Sequence, residues 1–217
     1  MQVKNKDFIE LDFTAMTLPD ETVFDTTSKN QAVKAGLTTE KVDFKPSIIA
    51  IGHKMLIPGL DKALEGKEIG KEYTEEIESE QAFGKRVPTL VKMVSLNQFK
   101  NQNIAPQKGM QFNLDGQIAT IRAVTGGRVL VDFNNPLAGK KVKYNFKIKR
   151  KLENKEDKIK ALQDYFFKKQ FPFTTKEKTI TFQVEKNLQP IIQMMSKPFE
   201  EILGMKVNVK AEDKPKS

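Results

Sequence analysis

The chain has 217 residues, a formal net charge of +9 at pH 7, no cysteine and one histidine. The absence of cysteine excludes disulfides and thiolate sites, and a single histidine leaves little scope for a zinc enzyme. No apolar run approaches the roughly 18 residues of a membrane span, and the polar N-terminus lacks an apolar signal segment. We therefore expect a cytoplasmic protein that has no membrane segment, no metal and no cofactor.

The charge is unevenly distributed along the chain. Residues 1–84 carry 10 basic and 16 acidic side chains, whereas residues 85–131 carry 7 basic and only 1 acidic. An acidic front and a basic middle predict separate units with separate partners. The basic charge would also suit proximity to the ribosome or a nucleic acid, although no dense arginine cluster or RNA-binding aromatic motif accompanies it.

The first predicted element is a half-buried strand from Phe8 to Met16, because apolar and polar residues alternate there. Its apolar face consists of Ile9, Leu11, Phe13 and Ala15. A turn follows, and Val23-Phe24-Asp25 returns as a strand. Asp25 could face the same apolar space as Phe13, although a lone aspartate is more often a cap or turn carboxylate.

Residues 28–46 are expected to be a loop with a weak strand near 42–44, before a short apolar strand over 48–51. The next stretch, Gly52 to Gly70, predicts a loop, a short helix and a return to strand. Its helix would start at Pro58 and end at Gly66, since proline suits the first helical position and glycine the left-handed closing residue.

Leu60, Ala63 and Leu64 would share one face of this helix and plug the open face of a sheet. Glu72 to Ile77 is a further predicted strand, and Ala82-Phe83-Gly84 ends the acidic segment.

The composition changes at Lys85. Strand pairs are predicted over 110–124 around an Asp115-Gly116 turn, and a further strand over 128–133 after a turn at 125–127. This β-rich module of roughly 45 residues is marginal in size for independent folding.

A turn-rich linker over 134–140 precedes a clean alternation over 141–149, which fits a further strand of the first sheet. Helical stripes then appear at 159–166 and 188–203, the second kinked or broken at Pro198. Strands are predicted at 180–184 and 205–209, followed by a frayed charged tail from Lys210. This α-β-α-β unit buries little by itself, so its apolar face is a candidate dimer surface.

Residues 1–152 resemble the FKBP-type peptidyl-prolyl isomerases, in the SlyD-like form with an inserted chaperone domain. The resemblance lies in four motifs whose order and spacing match: Phe13-Thr14 with Val23-Phe24-Asp25, Leu56-Ile57-Pro58-Gly59-Leu60 with Leu64-Glu65-Gly66 and Gly70, Ala82-Phe83-Gly84, and the stretch Val131 to Gly139. Residues 153–217 resemble, less specifically, the C-terminal extension that the long archaeal form uses for dimerisation. The His- and Cys-rich tail of some relatives is absent, so no nickel role is expected.

The resemblance implies an α+β fold in which an antiparallel sheet wraps around a short helix. It implies an isomerase domain over 1–86 and 132–152, an inserted chaperone domain over 87–131, and a C-terminal α/β dimerisation unit over 153–217. The expected partners are unfolded polypeptides that contain X-Pro bonds, and a second copy of the chain.

The resemblance also implies residue roles. The catalytic residues would be Asp25, Phe83 and Tyr144. The substrate-binding residues would be Phe13, Phe24, Leu56, Ile57 and Leu60, with Leu137 near the rim. The chaperone-binding residues would be Leu90, Met93, Val94, Leu96, Phe99, Met110 and Phe112. The family usually has tyrosine at the positions of Phe13 and Phe83, so the loss of two hydroxyls predicts a working but weaker isomerase.

Two other functions compete with a prolyl isomerase that carries its own chaperone. One is a holdase whose isomerase pocket has faded, which the phenylalanine at position 83 would favour. The other is an adaptor bound to the ribosome or a nucleic acid, which rests on basic charge alone. Salt sensitivity of binding would separate the adaptor from the other two.

Overall fold

The computed structural model describes residues 1–40, 42–114 and 117–211, without the side chains of residues 114 and 117. Its first sheet is antiparallel and has the order β2-β1-β9-β4. The fifth strand, β3, pairs with the first half of β1, on the same edge on which β2 pairs with the second half. The strands of this sheet are β1 (Phe8–Thr17), β2 (Thr22–Thr26), β3 (Ser47–Ala50), β4 (Glu72–Ile77) and β9 (Val142–Leu152). The predicted α+β class is confirmed.

Strand β9 lies at the centre of the first sheet, between β1 and β4. Its alternate residues Val142, Tyr144, Phe146 and Ile148 are all buried, because one face of the sheet is covered. The alternation in the sequence therefore predicted both the strand and its place in the first sheet.

The helix that covers this face is α2 (Pro58–Leu64), with Pro58 in its first turn as predicted. Leu60 and Leu64 are fully buried one turn apart. Gly59 permits the close approach to the sheet, since a Cβ atom there would lie 2.4 Å from Ile77 Cγ2. Gly66, at φ +78°, provides the left-handed turn after the helix.

Between β4 and β9 the chain forms a second antiparallel sheet of order β5-β8-β7-β6. Its strands are β5 (Val91–Ser95), β6 (Gln111–Leu114), β7 (Gln117–Thr125) and β8 (Arg128–Asp132). Helix α3 (Leu96–Lys100) contributes Phe99 to a small core with Ala119, Ile121, Val129 and Val131. The predicted Asp115-Gly116 turn lies outside the described residues, but the strands on either side of it pair as a hairpin.

The chain ends in a third sheet, of order β10-β11-β12, in which β11 pairs antiparallel with β10 and parallel with β12. Its elements are α4 (Lys155–Phe167), β10 (Phe173–Lys176), β11 (Thr179–Val184), α5 (Gln189–Met194), α6 (Ser196–Leu203) and β12 (Lys206–Ala211). Its buried residues, including Phe182 and Phe199, belong to the same hydrophobic cluster as those of the first sheet.

Several details of the sequence prediction were wrong. A helix, α1 (Lys29–Lys34), forms where a loop was expected, with Ser28 accepting a hydrogen bond from Gln31 at its N-terminus. The weak strand expected over 42–44 is irregular, since three alternating residues cannot form a strand without a neighbour to pair with. The helical stripe over 188–203 breaks at Met195 rather than at Pro198, because proline is tolerated in the first turn of α6.

Strand β10 was not predicted, and β12 includes Lys210 and Ala211, where a frayed tail was expected to start. The rest of that tail, residues 212–217, lies outside the described residues. Within the described part of the chain, no helix is long and apolar enough to cross a membrane.

Candidate functional site

The candidate site begins with a β-bulge that brings Phe24 and Asp25 together. On β1, Ala15 pairs with Asp25 and its neighbour Met16 pairs with Val23, so Phe24 is an extra residue on β2. In a regular strand, consecutive side chains point to opposite faces, and a bulge changes these directions. Phe24 therefore reaches the ring of Tyr144, and Asp25 lies close enough for its charge to act on the Tyr144 hydroxyl.

Four aromatic rings meet beside this bulge. The Phe24 ring packs edge-on against Phe83 and against Tyr144, with centroid distances of 5.6 and 6.2 Å. Phe13, on β1, lies 5.8 Å from Tyr144. The structure thus brings together four residues that the sequence assigned to one pocket, although they come from three strands and from the segment after β4.

The base of the aromatic group is formed by α2 and the loop before it. Leu60 is fully buried in the core, while Leu56 and Ile57 are partly buried and pack against the same core. The four rings, Leu56, Ile57 and Leu60 therefore all belong to, or pack against, one hydrophobic cluster.

Asp25 is the acidic group of the site. It is exposed to solvent, yet the surrounding protein desolvates its carboxylate and raises its pKa, against the opposing effect of a hydrogen bond from the Thr26 backbone. Protein therefore partly surrounds this carboxylate while water still reaches it.

Tyr144 adds a polar group to an otherwise apolar wall. Burial, and secondarily the negative charge of Asp25, raise the pKa of its hydroxyl, so it stays protonated at neutral pH. Among the described residues, no side chain or backbone group forms a hydrogen bond with this hydroxyl. It is therefore free to donate a hydrogen bond to a ligand.

Leu137 is the sequence-predicted residue with the weakest connection to the site. It is half-buried and belongs to neither hydrophobic cluster of the described residues. Its turn is nevertheless fixed next to Phe83, because the Gly139 N–H donates a hydrogen bond to the Gly84 carbonyl oxygen at 2.8 Å. A place at the rim fits this arrangement.

The seven residues expected to bind unfolded chains divide into two groups. Leu90, Met93 and Met110 are exposed, with 62% of Met93 accessible. The other four form or flank the small core of the second sheet: Val94, Leu96, Phe99 and Phe112. Sequence reasoning missed Ile118 and Val124, two further exposed apolar residues of β7; their outward positions in an alternating strand were the available signal.

Two concave regions lie elsewhere on the described residues. A cavity of about 110 Å³ lies on the α3 side of the second sheet, lined by Val94, Gln98, Phe99, Gln102, Phe112, Val131 and Phe133. A wider groove of about 770 Å³ runs over the first sheet near Asp12, Thr14 and Asn145. Phe13, Tyr73 and Phe146 also line this groove, but most of its other lining residues are polar and suit a proline ring poorly. Thr74 already forms a hydrogen bond with Asn145, at 2.8 Å.

Comparisons with known proteins agree with this geometry. The family model described as "FKBP26, IF domain" matches residues 92–137. A "Short-type peptidyl-prolyl cis-trans isomerase" of Methanocaldococcus jannaschii is 30% identical over 147 residues, which cover 68% of this chain and 92% of the relative.

Two bacterial relatives match shorter stretches. The "FKBP-type peptidyl-prolyl cis-trans isomerase SlyD" of Treponema pallidum is 34% identical over 115 residues, 51% of this chain and 65% of the relative. The "FKBP-type 16 kDa peptidyl-prolyl cis-trans isomerase" of Escherichia coli is 33% identical over 109 residues, 48% and 72% of the two chains. These similarities, together with the four-ring cluster and its neighbouring aspartate, show that the chain belongs to the FKBP-type peptidyl-prolyl cis–trans isomerase family.

Proposed function

We propose that this protein is a peptidyl-prolyl cis–trans isomerase that also binds unfolded chains as a chaperone. The observation that carries the isomerase function is the β-bulge of β2, which places Phe24 and Asp25 beside Phe83 and Tyr144. In this proposal these side chains border an apolar hollow for the proline ring, and Asp25 and the Tyr144 hydroxyl are its polar groups.

Rotation about an X-Pro amide breaks no covalent bond, so it requires neither a nucleophile nor a proton acceptor. The barrier, of about 20 kcal/mol, comes from amide resonance. An apolar hollow that holds the proline ring withdraws the planar, polar amide from water, and dipoles directed at the twisted amide stabilise the transition state. Phe13 and Phe24, both half-buried, provide the apolar contacts for the ring, and the fully buried Leu60 belongs to the core against which they pack.

Polar groups then act on the two ends of the twisted amide. In this proposal the Tyr144 hydroxyl donates a hydrogen bond to a substrate carbonyl, because Phe83 has no hydroxyl with which to do so. Asp25 provides negative charge near the Tyr144 hydroxyl, while Leu56, Ile57 and Leu137 bound the residues on either side of the proline.

The chaperone function is assigned to the second sheet. We divide the chain into an isomerase domain (1–86 and 132–152), an inserted domain (87–131) and a C-terminal domain (153–217). Support comes from the separate sheets, and from the exposed apolar side chains of the insert, Leu90, Met93 and Met110. Apolar segments of unfolded chains would bind there and along the cavity at Phe112, by side-chain contacts and strand addition.

Two further partners are proposed, a second copy of the chain from exposed apolar residues and the ribosome from basic charge. Ile191 and Met194 of α5 are 55% and 81% exposed, which supports a homodimer formed through residues 153–217. The basic insert would favour binding near the ribosome, and that contact would weaken as salt concentration rises. The setting for both functions is the cytoplasm.

Proline-limited refolding of an unrelated protein tests the isomerase function. Three proteins are compared: wild type, the double variant Asp25→Ala/Phe83→Ala, and a variant in which a short glycine-rich link replaces residues 88–131. Such a link can close the gap, since Val87 and Asn134 are hydrogen-bonded to each other. Wild type should accelerate the slow phase, and the double variant should not.

The insert deletion separates the two functions. The deletion variant should still isomerise a short proline peptide, but it should no longer accelerate the slow refolding phase of a protein as wild type does. If wild type suppresses aggregation without accelerating either substrate, the protein is a holdase and the isomerase assignment is wrong.

A further inference from the structure

Two chain segments connect the inserted domain to the isomerase domain, and they bond to each other along their length. The Gly139 N–H donates to the Gly84 carbonyl oxygen at 2.8 Å, and the Phe133 N–H donates to the Leu90 carbonyl oxygen at 3.0 Å. Between them, Asn134 accepts a hydrogen bond from the Val87 N–H and donates one to the Val87 carbonyl oxygen. The crossing is therefore a short double strand rather than two separate linkers.

A buried carboxylate lies where β8 ends and the second connecting segment begins. Asp132, the last residue of β8, is 1% exposed. It accepts hydrogen bonds from the backbone N–H and side-chain Nδ2 of Asn134, at 3.0 and 2.8 Å. It also pairs with two guanidinium groups, those of Arg86 and Arg122.

The two arginines approach Asp132 from different parts of the molecule. Arg86 belongs to the connecting segment, and its Cβ lies close enough to Gly139 that a Cβ atom there would be 3.4 Å away. Arg122 belongs to the insert and lies at a bulge of β7, between Ile121 and Ala123, which directs its side chain to Asp132 at 2.8–2.9 Å.

A buried ion pair is a poor way to gain stability, because desolvation of the charges offsets most of their attraction. Its particular property is that it requires one geometry, since a misplaced partner leaves a buried charge unpaired. We infer that Asp132 is a positioning residue, which holds Arg86 and Arg122 at once and so fixes the inserted domain relative to the proline hollow.

This inference rests on the proposed function, in which the insert captures a chain whose prolines are isomerised nearby. Binding to the insert raises the local concentration of those prolines at the hollow. This effect requires that one chain can reach the insert and the hollow at the same time, which depends on how the two domains are oriented. Asp132 would therefore affect the reaction on protein substrates, and not the reaction on short peptides that never contact the insert.

Arg86→Gln and Arg122→Gln form a matched pair of variants. Both arginines are about two-fifths exposed, 44% and 40%, so both variants should fold. Each loses one ion pair with the same carboxylate. Because Asp132 is the last residue of β8, its pair with Arg122 lies within the second sheet, and only Arg86→Gln removes the pair that joins this sheet to the connecting segment. Residual dipolar couplings report whether the first and second sheets share one alignment, and two assays report kcat/KM on a proline tetrapeptide and on a refolding protein.

We expect both sheets of wild type and of Arg122→Gln to align as one body, and the insert of Arg86→Gln to reorient separately. Arg86→Gln should keep its tetrapeptide activity within about 2-fold, while its kcat/KM on the refolding protein falls about 10-fold through a higher KM. Arg122→Gln should keep both activities.

Three results would overturn the inference: separate alignment of the two sheets in wild type, unchanged alignment in Arg86→Gln, or equal losses in both variants. Equal losses would mean that the carboxylate only stabilises the insert. If wild type accelerates neither substrate, the proposed function fails instead, and the dipolar couplings still decide whether Asp132 fixes the orientation.

Discussion

The first and second sheets are both antiparallel, but they differ in how much of their apolar surface is covered. Helix α2 and the C-terminal unit share one large core cluster with the first sheet, whereas the second sheet has a described core of five buried residues. Six of the twelve strongly exposed large hydrophobic residues in the described chain lie in the insert or at its edge: Val87, Leu90, Met93, Met110, Ile118 and Val124. One antiparallel sheet thus supports a large covered core, and the other leaves much of its apolar surface exposed to solvent.

The largest expected effect is on stability, and it separates the two cores. Leu60→Ala and Ile121→Ala each remove a fully buried aliphatic side chain, one from each core. Each should cost about 2–5 kcal/mol. Because the insert core is small, Ile121→Ala should unfold the insert alone. Leu60→Ala should destabilise the first sheet and the proline site that it carries.

Two-dimensional NMR spectra and tetrapeptide isomerisation measure this difference. Ile121→Ala should lose amide dispersion for the insert only and keep its peptide activity, and Leu60→Ala should lose activity. If Ile121→Ala unfolds the whole chain in one transition, the insert is not a separate folding unit.

A second effect concerns the acid at the junction of the two regions. Burial raises the pKa of Asp132, but hydrogen bonds from Asn134 and Arg122 and the charge of Arg86 outweigh it and lower the pKa to about 2. An acid whose pKa falls on folding stabilises the folded state above its unfolded pKa, and that contribution disappears as pH falls to the folded value. The difference from the ordinary value of 3.8 corresponds to about 2 kcal/mol.

Urea unfolding of wild type and Asp132→Asn, followed through insert signals, checks this sign. Wild type should be the more stable at pH 7, by about 2 kcal/mol, and the two curves should converge between pH 4 and pH 2. A constant difference across that range would show that Asp132 is not a charged partner of the arginines.

The two regions also differ in how far sequence predicts them. The alternation over 141–149 and the Pro58–Gly66 pattern identified β9 and α2, because burial on one face leaves a period in the sequence. The four-ring contact could be predicted only from the family resemblance, since the Phe24 bulge interrupts any period. The two ion pairs of Asp132 escaped prediction because one partner, Arg86, is 46 residues away and the other, Arg122, is directed to it by a bulge.

A smaller effect is expected within the hollow. Phe83→Tyr restores a hydroxyl next to Phe24, and should raise kcat/KM on a tetrapeptide about 2- to 10-fold, since one hydrogen bond contributes about 0.5–1.5 kcal/mol. Tyr144→Phe should lower it by a similar factor. A Phe83→Tyr variant that binds and catalyses no better than wild type would count against a substrate hydrogen bond at that position.

The smallest effect on stability, and the sharpest test of the exposed surface, comes from Met93→Ser. Met93 lies on β5, at an edge of the second sheet, and is 62% exposed; Val33 of α1 is 60% exposed and lies outside the insert. Neither Met93→Ser nor Val33→Ser should change the free energy of unfolding by more than about 0.5 kcal/mol, because exposed side chains contribute little.

Only Met93→Ser should weaken binding of a reduced, carboxymethylated protein, by about 5-fold in Kd. The reason is that the bound protein would bury part of the Met93 thioether side chain, and serine loses that apolar contact. Fluorescence anisotropy measures that Kd, and equal binding by both variants would mean that clients bind elsewhere than at the β5 edge.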